Sequence, residues 1–224
     1  MEQKNLLTEG SIFKNLMRFS FPFLLASLLQ ALYGAADLFV VGQYADSAAV
    51  SAVAIGSQVM QTITGVILGI TTGGTILIGQ YLGAKREKDM AKTVGTIICV
   101  FGLFSIVLTI FMTLFTNPIA TIMHTPVESL KYTQQYIFIC SCGIPFIIGY
   151  NAVSGILRGM GDSKTPLYFI AIACVINIAV DIILVDFFKM GAIGAAIATV
   201  GAQGISFILA VLFLWKKGFP FEFG

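Results

Sequence analysis

The stretch GTIICVFGLFSIVLTIFMTL, residues 95–114, has no charged side chain at any position. A helix of about 20 apolar residues crosses the hydrocarbon core of a bilayer, so this stretch predicts a transmembrane helix. The rest of the chain has the same character, because 57% of its residues are hydrophobic and only 11% are charged. A soluble domain carries about 25% charged residues. The sequence therefore predicts an integral membrane protein.

Five other stretches of the chain are similarly long and apolar. Backbone polar groups inside a bilayer must be hydrogen-bonded within their own segment, so we expect each stretch to be an α-helix. The short polar loops between the stretches make neighbouring helices antiparallel. We therefore predict an all-α membrane protein, a single bundle of six transmembrane helices in residues 1–224. The predicted helices cover residues 12–41, 50–82, 91–115, 130–157, 165–187 and 191–215.

The distribution of positive charge predicts the orientation of this bundle. Eleven of the 13 Lys and Arg residues lie near one set of helix ends, and only Lys131 and Lys189 lie near the other. Cytoplasmic loops are enriched in Lys and Arg, so we predict that the first set faces the cytoplasm. An even number of helices then places both termini there, in a multi-pass protein of the cytoplasmic cell membrane. Because the charges form no basic patch, we expect no nucleic-acid partner.

Motifs of soluble enzymes are incomplete in this chain. Ser163-Lys164-Thr165 resembles the end of a phosphate-binding loop, but Ser163 stands where that motif requires glycine. The single histidine, His124, lies in a predicted loop, where it cannot be the buried base of an intramembrane serine protease. Cys140 and Cys142 lack the spacing of metal ligands. We therefore predict a protein that is not an enzyme and has no metal site of its own.

Two carboxylates lie inside predicted helices, Asp37 in the first and Asp181 in the fifth. Asp37 is 19 residues beyond Arg18, about 28 Å along a helix, and Asp181 is 17 residues beyond Lys164, about 25 Å. Both reach a similar level in the predicted outer half of the membrane. Ionisable groups in transmembrane segments usually face a cavity or a partner, because exposure to lipid is costly. The alternative is that both are hydrated groups near helix ends.

Three uncharged polar residues are expected at a comparable depth. Asn177 precedes Asp181 by one turn of the same helix, Thr199 is in the sixth predicted helix, and Tyr136 is in the fourth. Together with the carboxylates they would form a pocket of oxygen atoms. Such a pocket suits a small cation such as Na⁺, and carboxylates can also take up and release H⁺. The predicted cation-coupling residues are Asp37, Asn177, Asp181, Thr199 and Tyr136.

Other polar and small residues in the spans have two interpretations each. Buried amides often only bond neighbouring helices, but they can also line a substrate path. Small residues spaced by four, such as Gly65, Gly69 and Gly73, predict close packing of the second helix against another helix. The amides that are candidates for a substrate path are Gln58, Gln61, Asn151 and Gln203.

Three stretches of the chain form a recognisable series. The first runs from Pro22 to Asp37-Leu38-Phe39-Val40-Val41-Gly42, and the second is Gly79-Gln80-Tyr81-Leu82-Gly83-Ala84-Lys85. The third begins Arg158-Gly159-Met160-Gly161-Asp162-Ser163-Lys164-Thr165-Pro166 and continues through Asn177–Asp181 and Gly194–Thr199. In this order and spacing, the three stretches resemble the multidrug and toxic compound extrusion (MATE) family of secondary exporters. The resemblance spans nearly the whole chain.

The resemblance implies a fold, a function and a site. Members of the family have about twelve helices in two lobes, so this chain resembles the amino-terminal lobe and the second lobe is absent. The implied function is secondary active efflux of small-molecule drugs, organic cations above all, by antiport with H⁺ or Na⁺ and without a cofactor. In prokaryotic members the amino-terminal lobe holds the proposed cation site, at positions that match the five residues predicted above.

Two other functions stay open at this point. A lipid-linked oligosaccharide flippase of the same superfamily would share the bundle, but it should need cationic residues in its cavity to bind pyrophosphate. No Lys or Arg lies in the middle of a predicted helix. A non-transporting membrane subunit is the second alternative. We expect a half or truncated transporter in the lipid bilayer, completed by a second lobe or by a second copy of itself.

Overall fold

The computed structural model describes residues 11–217, which form a bundle of helices with no β-strand among them. Lys4, one of the residues behind the predicted orientation, lies outside the described residues. A π-helical turn, Ile182–Phe187, continues the seventh α-helix. The α-helices are α1 Ile12–Tyr44, α2 Ser47–Gly83, α3 Glu87–Leu114, α4 Thr116–Ile122, α5 Val127–Cys142, α6 Ile144–Gly159, α7 Lys164–Asp181 and α8 Gly191–Lys217.

Six spans of this bundle are long and apolar enough to cross a bilayer. Four of them are α1, α2, α3 and α8, and the fifth is α7 with its π-helical turn. The sixth is made by α5 and α6 together, which are bent by 47° where they meet. Residues 130–157 are therefore not the single straight helix that the sequence predicts. Gly143 lies at the bend, and Pro145 in the first turn of α6 lacks the N–H that would continue the helical hydrogen bonds.

Two further elements differ from the sequence-based expectation. The short helix α4, Thr116–Ile122, lies between the third and fourth spans and was not predicted. The predicted fifth helix, residues 165–187, is α-helical only as far as Asp181 and then widens into the π-helical turn. Apolar composition alone does not distinguish an α-helical turn from a π-helical turn, because both are compatible with the same apolar side chains.

Polar residues fix the ends of two spans. The side chain of Asp46 accepts a hydrogen bond of 2.8 Å from the backbone N–H of Ala49, which caps α2. Before α7, the side chain of Asp162 accepts hydrogen bonds from the backbone N–H and the hydroxyl of Thr165. Gly161 has a φ of 86°, a left-handed conformation that glycine adopts without strain. These contacts explain why the Gly161-Asp162 sequence turns the chain between α6 and α7.

The outer surface of α3 is typical of a lipid-facing helix. Leu103 and Val107 are one turn apart and are 67% and 56% exposed. On the opposite side, the main core lies between α2, α5 and α8. Val53, Ile137 and Ala195 belong to this core and are completely buried. The chain therefore has an interior made of small and branched residues and an apolar exterior, as expected in a bilayer.

α2 and α6 cross at very short range. A Cβ atom built on Gly159 would lie 2.8 Å from the backbone oxygen of Thr75, and one built on Gly155 would overlap Thr71. The Thr75 hydroxyl donates a hydrogen bond of 3.0 Å to the backbone oxygen of Gly155. Gly155 and Gly159 are spaced by four residues, the spacing with which small residues allow transmembrane helices to approach closely.

The glycines that the sequence predicts to pack in this way are instead unpacked in the described chain. No atom lies within 4 Å of a Cβ built on Gly65, Gly69 or Gly73. They share one side of α2 with exposed polar residues, and we call this side the open face of α2. The open face comprises Gln58, Gln61, Gly65, Gly69, Thr72 and Gly73, and it ends before the turn that holds Ile76.

Substitution of these glycines should separate packed positions from open ones. We expect Gly159→Ala to lower the free energy of unfolding by about 1–3 kcal/mol, because the added methyl group meets Thr75 and Ile78 of α2. Gly69→Ala should change it by less than about 0.5 kcal/mol, since the new group meets nothing. Unfolding in mixed detergent micelles, followed by circular dichroism, measures both. Equal losses in the two variants would contradict the assignment of the α2–α6 crossing.

Candidate functional site

Asp37 on α1 and Asp181 at the end of α7 are the buried carboxylates of the described chain. Their exposed fractions are 1% and 0%, whereas every other described Asp or Glu side chain is at least partly exposed. The alternative that both are hydrated groups at helix ends is therefore wrong for this bundle. Burial of an ionisable side chain is costly unless it has partners, so the contacts of these two residues are informative.

Asp37 is bound to α8 through Thr199. The Thr199 hydroxyl donates a hydrogen bond of 2.7 Å to Oδ2 of Asp37. The backbone oxygen of Thr199 in turn accepts a hydrogen bond of 2.8 Å from the hydroxyl of Tyr33, which lies one turn before Asp37 on α1. Two hydrogen bonds thus join α1 to the same residue of α8. They fix the position of one oxygen of the Asp37 carboxylate.

Asp181 and Asn177 are the other polar neighbours of Asp37. Both lie on α7, one turn apart, and both interact electrostatically with the Asp37 carboxylate. The structure thus brings together four of the five residues that the sequence predicts: Asp37, Asn177, Asp181 and Thr199. They come from α1, α7 and α8, three helices that pack against one another.

Several polar atoms of this group have no hydrogen-bond partner among the described residues. They are Oδ1 of Asp37, both carboxylate oxygens of Asp181 and both amide atoms of Asn177. Two adjacent carboxylates in an apolar interior cannot both carry a negative charge unless a proton or a cation neutralises one of them. The chemistry of this group, four carboxylate oxygens with an amide and a hydroxyl, fits H⁺ and fits a small hard cation such as Na⁺.

Tyr136, the fifth predicted residue, has a different partner. Its side chain is 2% exposed, and its hydroxyl lies 3.1 Å from the hydroxyl of Ser57 on α2. Its ring packs against Gly56, where any larger side chain would overlap the ring. Tyr136 is close enough to Asp37 for an electrostatic interaction, but it makes no hydrogen bond to the carboxylates.

Sequence reasoning missed Tyr33 and Ser57. Tyr33 precedes Asp37 by four residues, a spacing that places both on one face of α1, so the signal was present. Ser57 is one of many hydroxyl-bearing residues on α2, and its pairing with Tyr136 depends on how α2 and α5 cross. No spacing along the chain could have shown that contact.

The four candidate residues of a substrate path occupy two different environments. Gln58 and Gln61 are exposed on the open face of α2. Asn151 and Gln203 are buried, with exposed fractions of 3% and 6%, on α6 and α8. The side-chain amide of Asn151 donates to the backbone oxygen of Ile147 in its own helix, and Oε1 of Gln203 has no partner among the described residues. The four amides therefore do not form one continuous lining.

Both carboxylates fall inside the part of the chain that matches a known family, and Thr199 lies beyond it. The model of the MatE family matches residues 22–183, which include Asp37, Asn177 and Asp181. The chain belongs to the MatE family. Members of this family are membrane transporters, not enzymes.

Curated relatives of this MatE chain are about twice its length. It is 32% identical over 216 residues to the probable multidrug resistance protein YpnP of Bacillus subtilis, covering 96% of this chain and 48% of that protein. It is 29% identical over 219 residues to the multidrug export protein MepA of Staphylococcus saprophyticus, again covering 96% of this chain and 48% of the relative. The chain thus spans about half the length of the curated relatives it matches.

Solved structures show the same fold. The crystal structure of MATE in the bent conformation matches with a TM-score of 0.92 at 22% sequence identity, covering 100% of this chain and 50% of that one. The outward-facing conformation of a multidrug resistance MATE family transporter matches with a TM-score of 0.88 at 23% identity, covering 97% and 48%. The predicted fold class, a six-helix bundle like one lobe of a MATE transporter, is therefore confirmed.

The hydrogen bond between Thr199 and Asp37 should contribute measurably to the stability of this MatE chain. We expect Thr199→Val to lower the free energy of unfolding by about 1–3 kcal/mol, because Oδ2 of the buried Asp37 loses the hydrogen bond that it accepts from Thr199. Thr72→Val is the matched control, since the exposed Thr72 hydroxyl bonds only to the backbone of its own helix. Unfolding in detergent micelles measures the free energy of unfolding of both variants. An equally small effect in the two variants would contradict the role of Thr199.

Proposed function

We propose that this chain is one lobe of a cation-coupled multidrug exporter, with coupling by binding of H⁺ or Na⁺ between Asp37 and Asp181. The observation that carries the proposal is the pair of fully buried carboxylates whose remaining oxygens have no partner among the described residues. A proton or cation bound there changes the charge of the contact between α1, α7 and α8. It therefore favours one arrangement of these helices over another, which is what coupling requires.

The exported compounds in this proposal are organic cations. The curated relatives are named for multidrug resistance and multidrug export, and this supports the same class of substrate for this chain. The site also favours cations, because its two carboxylates lie close together and no buried Lys or Arg is present among the described residues. The same observation gives no support to a flippase that binds pyrophosphate.

A second lobe is part of this proposal, and the open face of α2 supports it. Gln58, Gln61 and Thr72 are exposed there although they belong to a helix that spans the membrane. Contact of such amides with lipid is unfavourable, whereas contact with another polypeptide or with a water-filled path is not. The chain also matches half the length of its relatives. We therefore place a second six-helix lobe, or a second copy of this chain, against the open face.

Cation binding should stabilise the chain through both carboxylates. If the ion is Na⁺, a concentration about 100 times its dissociation constant adds about 2.7 kcal/mol to the free energy of unfolding, relative to choline. If it is H⁺, lowering the pH should stabilise the wild type more than the double variant Asp37→Asn, Asp181→Asn, because the proton relieves the repulsion of the pair. Differential scanning fluorimetry in detergent distinguishes the two ions.

The matched control for this experiment is Asp186→Asn. Asp186 is partly exposed and forms an ion pair with Lys189, so its loss removes one carboxylate without touching the site. The stability of the Asp186→Asn variant should respond to Na⁺ and pH as that of the wild type does. Ion effects that are identical in the wild type and in the double variant would refute binding between Asp37 and Asp181.

Export should require a second lobe and both carboxylates. We expect no ethidium efflux from energised vesicles that hold this chain alone. We expect efflux when it is fused to the half of Bacillus subtilis YpnP that it does not match. In the fusion, Asp37→Asn with Asp181→Asn should reduce the initial rate by at least about tenfold, and Asp186→Asn should not. Efflux by the chain alone would favour a working dimer, whereas efflux insensitive to the double substitution would refute the coupling role.

A further inference from the structure

A second polar feature lies far along the chain from the carboxylate site, at the end of the bundle where most basic residues lie. We call this the basic end: α1, α3 and α7 begin there, and α2, α6 and α8 end there. Its described basic residues are Lys14, Arg18, Lys85, Arg86, Lys88, Lys92, Arg158, Lys164 and Lys216. Helix ends rich in Lys and Arg lie where the hydrocarbon meets the lipid headgroups.

A groove of about 370 Å³ opens between α1, α2 and α6 at this end. We call it the Arg158 groove. Its walls include Ile12, Leu16 and Phe19 from the first two turns of α1, Ile76 from α2, and Arg158 and Gly159 from α6. This volume lies within the range of about 300–1,000 Å³ that is typical of small-molecule sites.

Arg158 is the charged residue of this groove, and no carboxylate neutralises it among the described residues. The ion pairs of residues 11–217 join Arg86 to Asp89 and Lys189 to Asp186, and neither involves Arg158. Its guanidinium lies 5.3 Å from the ring centroid of Phe23 on α1, a cation–π contact. Its N–H groups donate no hydrogen bond to another side chain or backbone oxygen of residues 11–217.

The apolar walls of the groove are exposed. Ile12, Leu16 and Ile76 are 85%, 57% and 55% exposed. An acyl chain would cover them, whereas a free inorganic phosphate would reach only the guanidinium. A cationic drug is disfavoured, because Arg158 would repel it, so the groove differs in chemistry from the carboxylate site.

We infer that the Arg158 groove binds an anionic phospholipid, with the phosphate on the guanidinium and one acyl chain along Leu16, Phe19 and Ile76. Arginine binds phosphate through two parallel hydrogen bonds, which suits donors that residues 11–217 leave unused. Basic pockets between transmembrane helices at the headgroup level are suited to anionic lipids. The close approach of α6 to α2 at Gly159 brings Arg158 to the edge of α2, and this forms the polar end of the groove.

The inference is independent of the proposed antiport, because it uses none of the residues of the carboxylate site. A lipid seated in this groove would touch α1, α2 and α6 together. It would therefore hold the first two turns of α1, which precede Pro22, against the rest of the bundle. Anionic lipid should for this reason raise the thermal stability of the chain as well as bind to it.

Native mass spectrometry of the purified chain with added phosphatidylglycerol or phosphatidylcholine tests the inference. We expect the wild type to retain phosphatidylglycerol, and Arg158→Gln to weaken that retention by about tenfold, the effect of losing one charge-assisted phosphate contact. Arg86→Gln is the control: it removes the same charge from the same end, but its side chain is 60% exposed and paired with Asp89. Equal losses in both variants would mean general surface attraction and would overturn the site.

A second pair of variants keeps Arg158 and changes the apolar wall of the Arg158 groove. Ile76→Trp fills the groove and should reduce phosphatidylglycerol retention while Arg158 is intact, whereas Ile70→Trp, exposed on α2 outside the groove, should not. This pair also guards against misfolding of Arg158→Gln. Displacement of the lipid by millimolar inorganic phosphate, with no effect of Ile76→Trp, would identify a phosphate site and overturn the lipid assignment.

Discussion

Close contact between helix backbones holds this bundle together, because lipid supplies no hydrophobic force between apolar helices. α2 is one example, since it packs against α1, α3, α5, α6 and α8. At Gly56 it receives the ring of Tyr136, and at Thr71 and Thr75 it meets the glycines of α6. The two crossings set the distance of α5 and α6 from α2. The crossing of α2 with α6 also brings Arg158 to the groove.

The carboxylate site depends on this packing in a different way. Asp37 and Asp181 are costly to bury, and among the described residues the hydrogen bond to this pair of carboxylates comes from Thr199 of α8. The apolar core supplies the stability that offsets this cost. The site thus combines a rigid surround with polar atoms that are only partly satisfied. In the function proposed above, that combination is suited to an ion that must both bind and leave.

The amino-acid sequence predicts much of this structure, and the failures have physical reasons. Six apolar stretches, two charged residues inside them and their depth along the helices were enough to bring Asp37, Asn177, Asp181 and Thr199 together. The spacing of small residues was a poorer guide to helix packing. Gly65, Gly69 and Gly73 show the spacing of a packing motif and are unpacked, whereas Gly155 and Gly159 show the same spacing and are packed. The spacing describes a helix face, but not which neighbour it meets.

The sequence also did not predict which polar side chains bond to one another. The sequence predicts how deep in the membrane Tyr136 lies, but it does not indicate Ser57 as its partner. That pairing depends on the angle at which α2 and α5 cross. The bend between α5 and α6 has a signal in the sequence, Gly143 and Pro145. The apolar run is continuous across these two residues, so it was predicted as a single helix. The Arg158 groove was not foreseen at all. Its walls come from three helices, and it exists only once they are packed.

The π-helical turn after Asp181 has a consequence for comparing this chain with its relatives. A π-helical turn contains one more residue than an α-helical turn, so the segment Ile182–Phe187 carries a surplus residue. Deletion of one residue here would restore a plain α-helix, whereas deletion inside an α-helix rotates everything beyond it by about 100°. A one-residue gap in an alignment at this point therefore leaves Asp181 and α8 equivalent between two proteins. Counting residues back from α8 would misassign the carboxylate, and counting forward from α7 would not.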